Sequence, residues 1–200
     1  MRILKDIPFR EIRGGICYIP ENDNIKKLPI TDYMKGDEKA NGIICYGYVD
    51  FNAGISFEVL CKAYKDPSGN ITGYEGNKNK SIKLRLANVK DCQVVMLNDI
   101  EIYNAHSSKI DGINDYYKGT KAIEKLRSIN YSFLDPFRHP EYPDDIQAAL
   151  GTEYLWVRCK LVRDDIFYGT LLNDSIQNPD LRSGEEVMFK YENGKCEIVL

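Results

Sequence analysis

Four short runs close this chain, EYLWVRCKLV, IFYGTLLN, EEVMFKY and KCEIVL, separated by Asp164-Asp165, a polar loop and Glu192-Asn193-Gly194. Short strands joined by turn residues pair with their neighbours in sequence, so this stretch is held to an antiparallel meander or small barrel. Along 154–161, Tyr154, Trp156, Arg158 and Lys160 alternate with Leu155, Val157, Cys159 and Leu161. Successive strand residues face opposite sides, which puts the second set in the core and the first outside. Trp156, the only tryptophan, then looks outward beside Arg158, where an indole and a guanidinium can stack. The competing reading has the indole covered by the preceding connector or by a helix, since tryptophans are highly buried on average.

The N-terminal half carries the same signals less regularly. Strands are expected at 12–19, 43–51, 55–64, 81–89, 92–97 and 100–103, with turn chemistry at Asn52-Ala53-Gly54, Asp66 to Asn70 and Asn98-Asp99. In 55–64, Ile55, Phe57, Val59, Cys61 and Ala63 share one side and Ser56, Glu58 and Lys62 the other, the pattern of a half-buried strand, with Leu60 and Tyr64 as exceptions. The long polar excursion from Pro20 to Gly42 interrupts this set.

One amphipathic helix is expected near 115–129, with Ala122, Ile123, Leu126 and Ile129 at helical spacing and Glu124, Lys125 and Arg127 facing water. Pro136, Pro140 and Pro143 stiffen the connector that follows. DDIQAAL (144–150) fits either a short capped helix or a strand. The expected architecture is α+β, predominantly antiparallel β with one main amphipathic helix. It comprises an N-terminal β region (1–111), a helix and proline-rich connector (112–150) and a C-terminal meander or small barrel (151–200).

Several function classes are disfavoured. Twenty-seven basic and 30 acidic residues are well mixed, and the densest basic stretch (Lys78, Lys80, Lys83, Arg85) is narrower than a nucleic-acid surface requires. No run approaches a membrane span, and MRILKDIPFREIRGG lacks the apolar segment of a secretory signal. The six cysteines form no C-x-x-C pair and five lie in expected strands beside aliphatic or aromatic residues, so they read as buried thiols of a cytoplasmic protein. His106 and His139 are far apart and neither neighbours a cysteine, so neither a metal nor a cofactor is expected. Phosphate loops, nucleophile elbows and metalloprotease pairs are missing from the sequence.

The polar constellation on the connector is Asp135, Arg138, His139, Glu141, Asp144 and Asp145, interleaved with Phe137 and Tyr142. A catalytic reading makes His139 a general base oriented by Asp135 or Asp144, as in a small hydrolase. The structural reading has Arg138 bridging backbone carbonyls or Asp135, and it is preferred because no catalytic residue can be assigned from spacing alone. His106, in NAHSS, is expected on a surface loop. The candidate binding residues are Arg138, His139, Tyr154, Trp156 and Arg158.

Asp135 to Asp145 (DPFRHPEYPDD), Trp156 to Arg158 (WVR), Gly169 to Asn173 (GTLLN) and the Gly184-Glu185 turn resemble the recurrent elements of a group of uncharacterised bacterial domains. This chain departs from them at Ser175, where the pattern carries a proline-containing turn. Such domains occur in cytosolic bacterial proteins, sometimes near toxin-immunity genes. The resemblance implies no activity and lends no catalytic residue; the favoured reading of the whole chain is a cytosolic bacterial protein-binding or adaptor protein, immunity-like roles included, that engages another protein through exposed aromatics and loops. A structural or phage-associated subunit is the remaining alternative, and the oligomeric state is open.

Overall fold

The computed structural model describes residues 1–27, 38–77 and 79–200, so much of the Pro20–Gly42 excursion, together with Lys78, lies outside the described residues. The fold is α+β and mainly antiparallel, and the chain divides into two compact units, Met1–Tyr117 and Lys118–Leu200.

The first unit is built on β1 (Arg2–Ile3), β2 (Ile16–Pro20), β3 (Gly42–Asp50), β4 (Gly54–Lys65), β5 (Ile71–Gly73), β6 (Lys83–Arg85) and β7 (Gln93–Leu97). The described strands form one sheet in the order β1-β7-β2-β3-β4-β5, with β6 also on β4. Both faces are covered. Leu4, Ile12 and the short helix Leu86–Val89 close one face over Cys17, Cys45, Phe57 and Val59. On the other, the helix Ile100–Tyr117 lays Ile110 and Ile113 onto Tyr18, Ile44, Tyr46 and Leu60.

That helix corrects the sequence reading, which has a strand at 100–103 and one helix at 115–129. Asp99 is a helix cap here, its Oδ1 accepting from the amides of Glu101 and Ile102 at 2.8 and 3.1 Å. The alternation of IEIY disguises a helical face through Ile102, Tyr103, Ile110, Ile113 and Tyr117. A second helix, Lys121–Arg127, begins after Thr120, whose hydroxyl accepts from Ile123 N at 3.3 Å. It buries Ile123 and Leu126 as their spacing predicts, but Arg127 is buried as well rather than facing water. Ile129 falls beyond the helix and is exposed. His106 lies on the first helix, not on a loop.

β4 is buried on both sides, not half-buried. Its pairing with β3 shifts between Cys45↔Val59 and Ile44↔Cys61, so Leu60 is the extra residue of a bulge. The bulge reverses side-chain parity, and Cys61 and Ala63 join the helix-covered face instead of following Phe57 and Val59.

In the second unit β8 (Asp145–Leu150), β9 (Glu153–Arg163), β10 (Ile166–Leu171), β11 (Glu186–Glu192) and β12 (Lys195–Val199) close a barrel in the order β10-β11-β12-β8-β9. DDIQAAL is therefore strand from Asp145 onward. The first and last strands of a five-strand up-and-down meander run the same way, so closure requires one parallel pair. That pair is β8–β12, joined at Glu197↔Ala149. Asp164 and Asp165 both take positive φ (49° and 61°), as do Asn193 and Gly194 (52° and 77°), the backbone of tight hairpin turns.

The core contains Leu155, Val157, Cys159, Phe167 and Phe189, with the Phe167 and Phe189 rings stacked at 4.9 Å. The segment Ile129–Phe137 packs Leu134 against it. The alternation of β9 holds through Cys159 and then breaks. Tyr168 pairs with Leu161 but Gly169 with Cys159, leaving Lys160 bulged. Val162, not Leu161, consequently packs on the core. Gly169 is required at this crossing, because a Cβ there would lie 2.4 Å from the Arg158 carbonyl oxygen.

Candidate functional site

The connector and the outer face of β9 meet through two adjacent carboxylates that turn opposite ways. Asp144 accepts from Arg127 Nε and Nη2 at 2.9 and 2.5 Å, with the Arg127 side chain 1% exposed. Asp145 accepts from Arg158 Nε and Nη2 at 2.7 and 2.9 Å. Bidentate pairs of this kind fix both partners in orientation. Burial opposes the charge on Arg127, yet Asp144 outweighs it and the guanidinium holds its proton more tightly than usual. The Asp145 bonds do the same for Arg158, against partial burial.

Arg138 is built into the fold. It donates to the Leu126 carbonyl at 2.7 Å, to the Pro143 carbonyl and to Asp135 Oδ1 at 2.9 Å, with its side chain 5% exposed. This is the bridging arrangement preferred from the sequence. His139 continues the antiparallel step beside β8, with its N donating to Asp145 O at 2.8 Å. Its Nδ1 accepts from the Glu141 amide at 3.2 Å. Asp144 is engaged by Arg127 and Asp135 Oδ1 by Arg138, so both carboxylates are tied to arginines.

The His139 ring meets Trp156 edge-on at 5.1 Å and Tyr142 at 5.3 Å, and Arg158 lies 5.8 Å over Tyr142. Trp156 faces outward as its parity requires and is half-buried, with the connector on one flank; both sequence readings are met in part. Tyr154 is 63% exposed and Leu172 37%. Leu172 N donates to Trp156 O, and Trp156 N to Asn173 Oδ1, both at 2.8 Å, so Leu172 stands beside the indole. His139, Trp156 and Arg158 thus come together, Tyr154 extends the row, and Arg138 stays beneath it.

Ile176, which no sequence signal singles out, is 91% exposed at the Tyr154 end of the barrel. The Glu153 carboxylate holds it out, accepting from Ile176 N at 2.9 Å, Ser175 Oγ at 2.7 Å and Gln177 N at 3.3 Å. Ser175 thereby serves as part of the latch. The Ile176 amide, then the Ser175 hydroxyl, hold the Glu153 carboxyl below the usual carboxylate range against slight desolvation. A folded-state pKa lowered in this way means the latch is intact above the ordinary carboxylate value and is lost as pH falls through the lowered one. As pH falls through that lowered value the Ile176 and Gln177 amides are expected to lose hydrogen-exchange protection relative to their intrinsic rates, and Glu153→Ala should produce the same loss of protection at neutral pH. Amides that stay protected in the variant would show that the loop does not depend on Glu153.

A second polar cluster lies in the first unit. Glu58, 2% exposed, accepts from Ser81 Oγ at 2.8 Å and pairs with Lys109 Nζ at 2.9 Å. Lys109 also donates to the carbonyls of Val59 and Lys80, each at 3.0 Å. Its ammonium therefore stitches β4 to the segment before β6, in a gap between β5 and β6 on the β4 edge. Nearby, Lys83 Nζ donates to Tyr117 Oη at 2.8 Å, and the Tyr117 and Tyr48 rings lie 4.4 Å apart. Burial, then the Tyr117 hydroxyl, push the Tyr48 phenol up. His106 and Lys109 line a cavity of about 220 Å³ beside Gly76. The sequence reading put Ser56 and Glu58 on the open side of a half-buried strand. The missed signal is the apolar face of 100–117, which needs a sheet face to cover.

The thiols are poor nucleophiles: all six are buried and unbridged, and burial pushes those of Cys17, Cys61, Cys159 and Cys196 up to about 12. No group of metal-ligating side chains is found among the described residues, and no helix is long and apolar enough to cross a membrane. Comparison of the chain with protein-family models, curated proteins and solved structures finds no match.

Proposed function

We propose that the chain is a protein-binding or adaptor module whose C-terminal barrel docks another protein through Tyr154, Trp156 and Leu172, with His139 edge-on against the indole, Arg158 over the neighbouring Tyr142 and Arg138 anchoring the connector beneath. The observation that carries this reading is the exposed aliphatic and phenolic flank of a half-buried tryptophan on a well-tied scaffold. Rigid aromatic anchors of this kind dominate protein interfaces. Ile176 adds an apolar knob at the same end, already ordered by Glu153.

A bacterial cytoplasmic setting, with an immunity-like role among the options, rests on the likeness of residues 135–200 to the bacterial domains and on unbridged thiols, which suit a reducing compartment. The immobilised full chain is expected to capture a specific partner from bacterial extract near physiological salt. Tyr154→Ala and Leu172→Ser should each weaken capture about tenfold, while Lys195→Ala leaves it intact. Equal retention by all three variants would rule out this face. Self-assembly in sedimentation with no captured partner would favour the structural-subunit alternative.

A further inference from the structure

We propose that the Met1–Tyr117 unit carries a site for a tetrahedral oxyanion of the phosphate class, bounded by Lys83, Arg85, Tyr48 and Tyr117. The site is independent of the barrel face. It starts from the densest basic stretch of the chain, of which Lys83 and Arg85 form the two ends of β6. Leu84 between them packs with Phe57 and Val59, so both cations stand on the other side of the sheet, the one covered by the helix Ile100–Tyr117.

Cross-strand pairing sets what lies around them. Tyr48, Ser56 and Arg85 form one row across β3, β4 and β6, and Tyr46, Glu58 and Lys83 form the next. Residues directly opposite share a face, so these polar groups gather on a sheet face lined elsewhere by Ile16, Ile44 and Leu60.

The charges of this patch do not cancel. Glu58 is taken by Lys109 at 2.9 Å, and Lys83 has no carboxylate partner among the described residues; its Nζ donates to Tyr117 Oη at 2.8 Å. Arg85 engages the protein through Nη1 alone, which donates to Asp50 Oδ2 at 3.2 Å and to the buried Ser56 hydroxyl. Its Nε and Nη2 make no bond among the described residues, and the side chain is 36% exposed. Two cations therefore stand against one carboxylate, with one edge of the guanidinium unused.

Tyr48 supplies the deciding observation. The residue is 3% exposed, yet its hydroxyl has no hydrogen-bond partner among the described residues. Buried hydroxyls are nearly always bonded. The Tyr117 ring lies 4.4 Å away without aligning its hydroxyl to bond. Burial, then the Tyr117 hydroxyl, push the Tyr48 phenol up while Arg85 draws it down, which puts the guanidinium within electrostatic reach of that hydroxyl. A planar carboxylate would be satisfied by the two-pronged edge of Arg85 by itself. An ammonium and phenolic hydroxyls set apart from that edge suit the further oxygens of a tetrahedral anion, and the excess positive charge suits a dianion.

Isothermal titration of the full chain with inorganic phosphate at low ionic strength should show saturable binding with a Kd of about 1 mM, and acetate at the same ionic strength none. Lys83→Met should weaken binding about tenfold, the loss of one charge-assisted contact, and Tyr48→Phe about fivefold. The Tyr48 hydroxyl ties nothing in the fold, so Tyr48→Phe should keep the hydrogen-exchange protection of β3 and β4 while binding falls. Lys195→Ala, a charge removed from the barrel, should leave phosphate binding unchanged. Glycerol phosphate bound as tightly as the free ion would assign the site to the end group of a larger molecule, and the free ion bound alone would assign it to phosphate itself; either result upholds the site. No saturable heat up to about 20 mM phosphate, an equal response to acetate, or wild-type binding by both Lys83→Met and Tyr48→Phe overturns the proposal.

Discussion

Asp144→Ala is expected to destabilise the Lys118–Leu200 unit by about 3–5 kcal/mol, the usual cost of stranding one half of a buried ion pair. Arg127 is 1% exposed, and Asp144 supplies its two best-aligned acceptors, leaving Glu124 Oε1 at 3.2 Å. Removing the carboxylate leaves a buried guanidinium without its two-pronged partner. The effect reaches beyond the pair, because Asp144 also presents its carbonyl to Cys159 N at 2.9 Å and adjoins the Asp145–Arg158 lock. Urea unfolding followed through Trp156 reads this unit directly. The double replacement Arg127→Met with Asp144→Leu should recover most of the loss, since an apolar pair of similar volume needs no desolvation of charge. A loss under about 1 kcal/mol in the single variant would mean that water reaches the guanidinium.

Most of the barrel could be read from the chain because its strands alternate cleanly and their turns use residues that tolerate positive φ. The outward parity of Tyr154, Trp156 and Arg158 followed from that alone. What escaped has common causes. A bulge is one extra residue and carries no compositional mark, so Leu60 and Lys160 each reversed the sides assigned to Cys61, Ala63 and Leu161. The helix Ile100–Tyr117 opens with an alternating IEIY, and only contacts several turns away, through Ile110 and Ile113, reveal its period. Arg127 and Glu58 read as solvated letters because burial of a charge depends on a partner distant in sequence. Asp144 lies 17 residues from Arg127, and Lys109 donates to a carbonyl 50 residues away. The candidate site was legible to the extent that it is a strand face. The Glu153 latch and exposed Ile176 were not, because a hydrogen-bonded loop has no period.

Lys109→Met is expected to cost the Met1–Tyr117 unit about 3–5 kcal/mol, for the converse reason: it strands a carboxylate. Glu58 is 2% exposed, and with the ammonium gone its Oε2 keeps the Ser81 hydroxyl while Oε1 loses its cation. The same substitution frees the carbonyls of Val59 and Lys80, which Lys109 serves where β5 and β6 leave the β4 edge uncovered. A buried carbonyl left unpaired adds to the penalty. The unit holds no tryptophan, so its stability is followed by peptide-resolved hydrogen exchange across β4 and β6 rather than by fluorescence. Glu58→Gln in the Lys109→Met background should restore part of the loss, because a neutral amide replaces the unpaired charge. The two single effects should then sum to more than the double, the signature of direct coupling. Strictly additive effects would separate the two residues energetically and reduce Lys109 to a tether on the β4 edge.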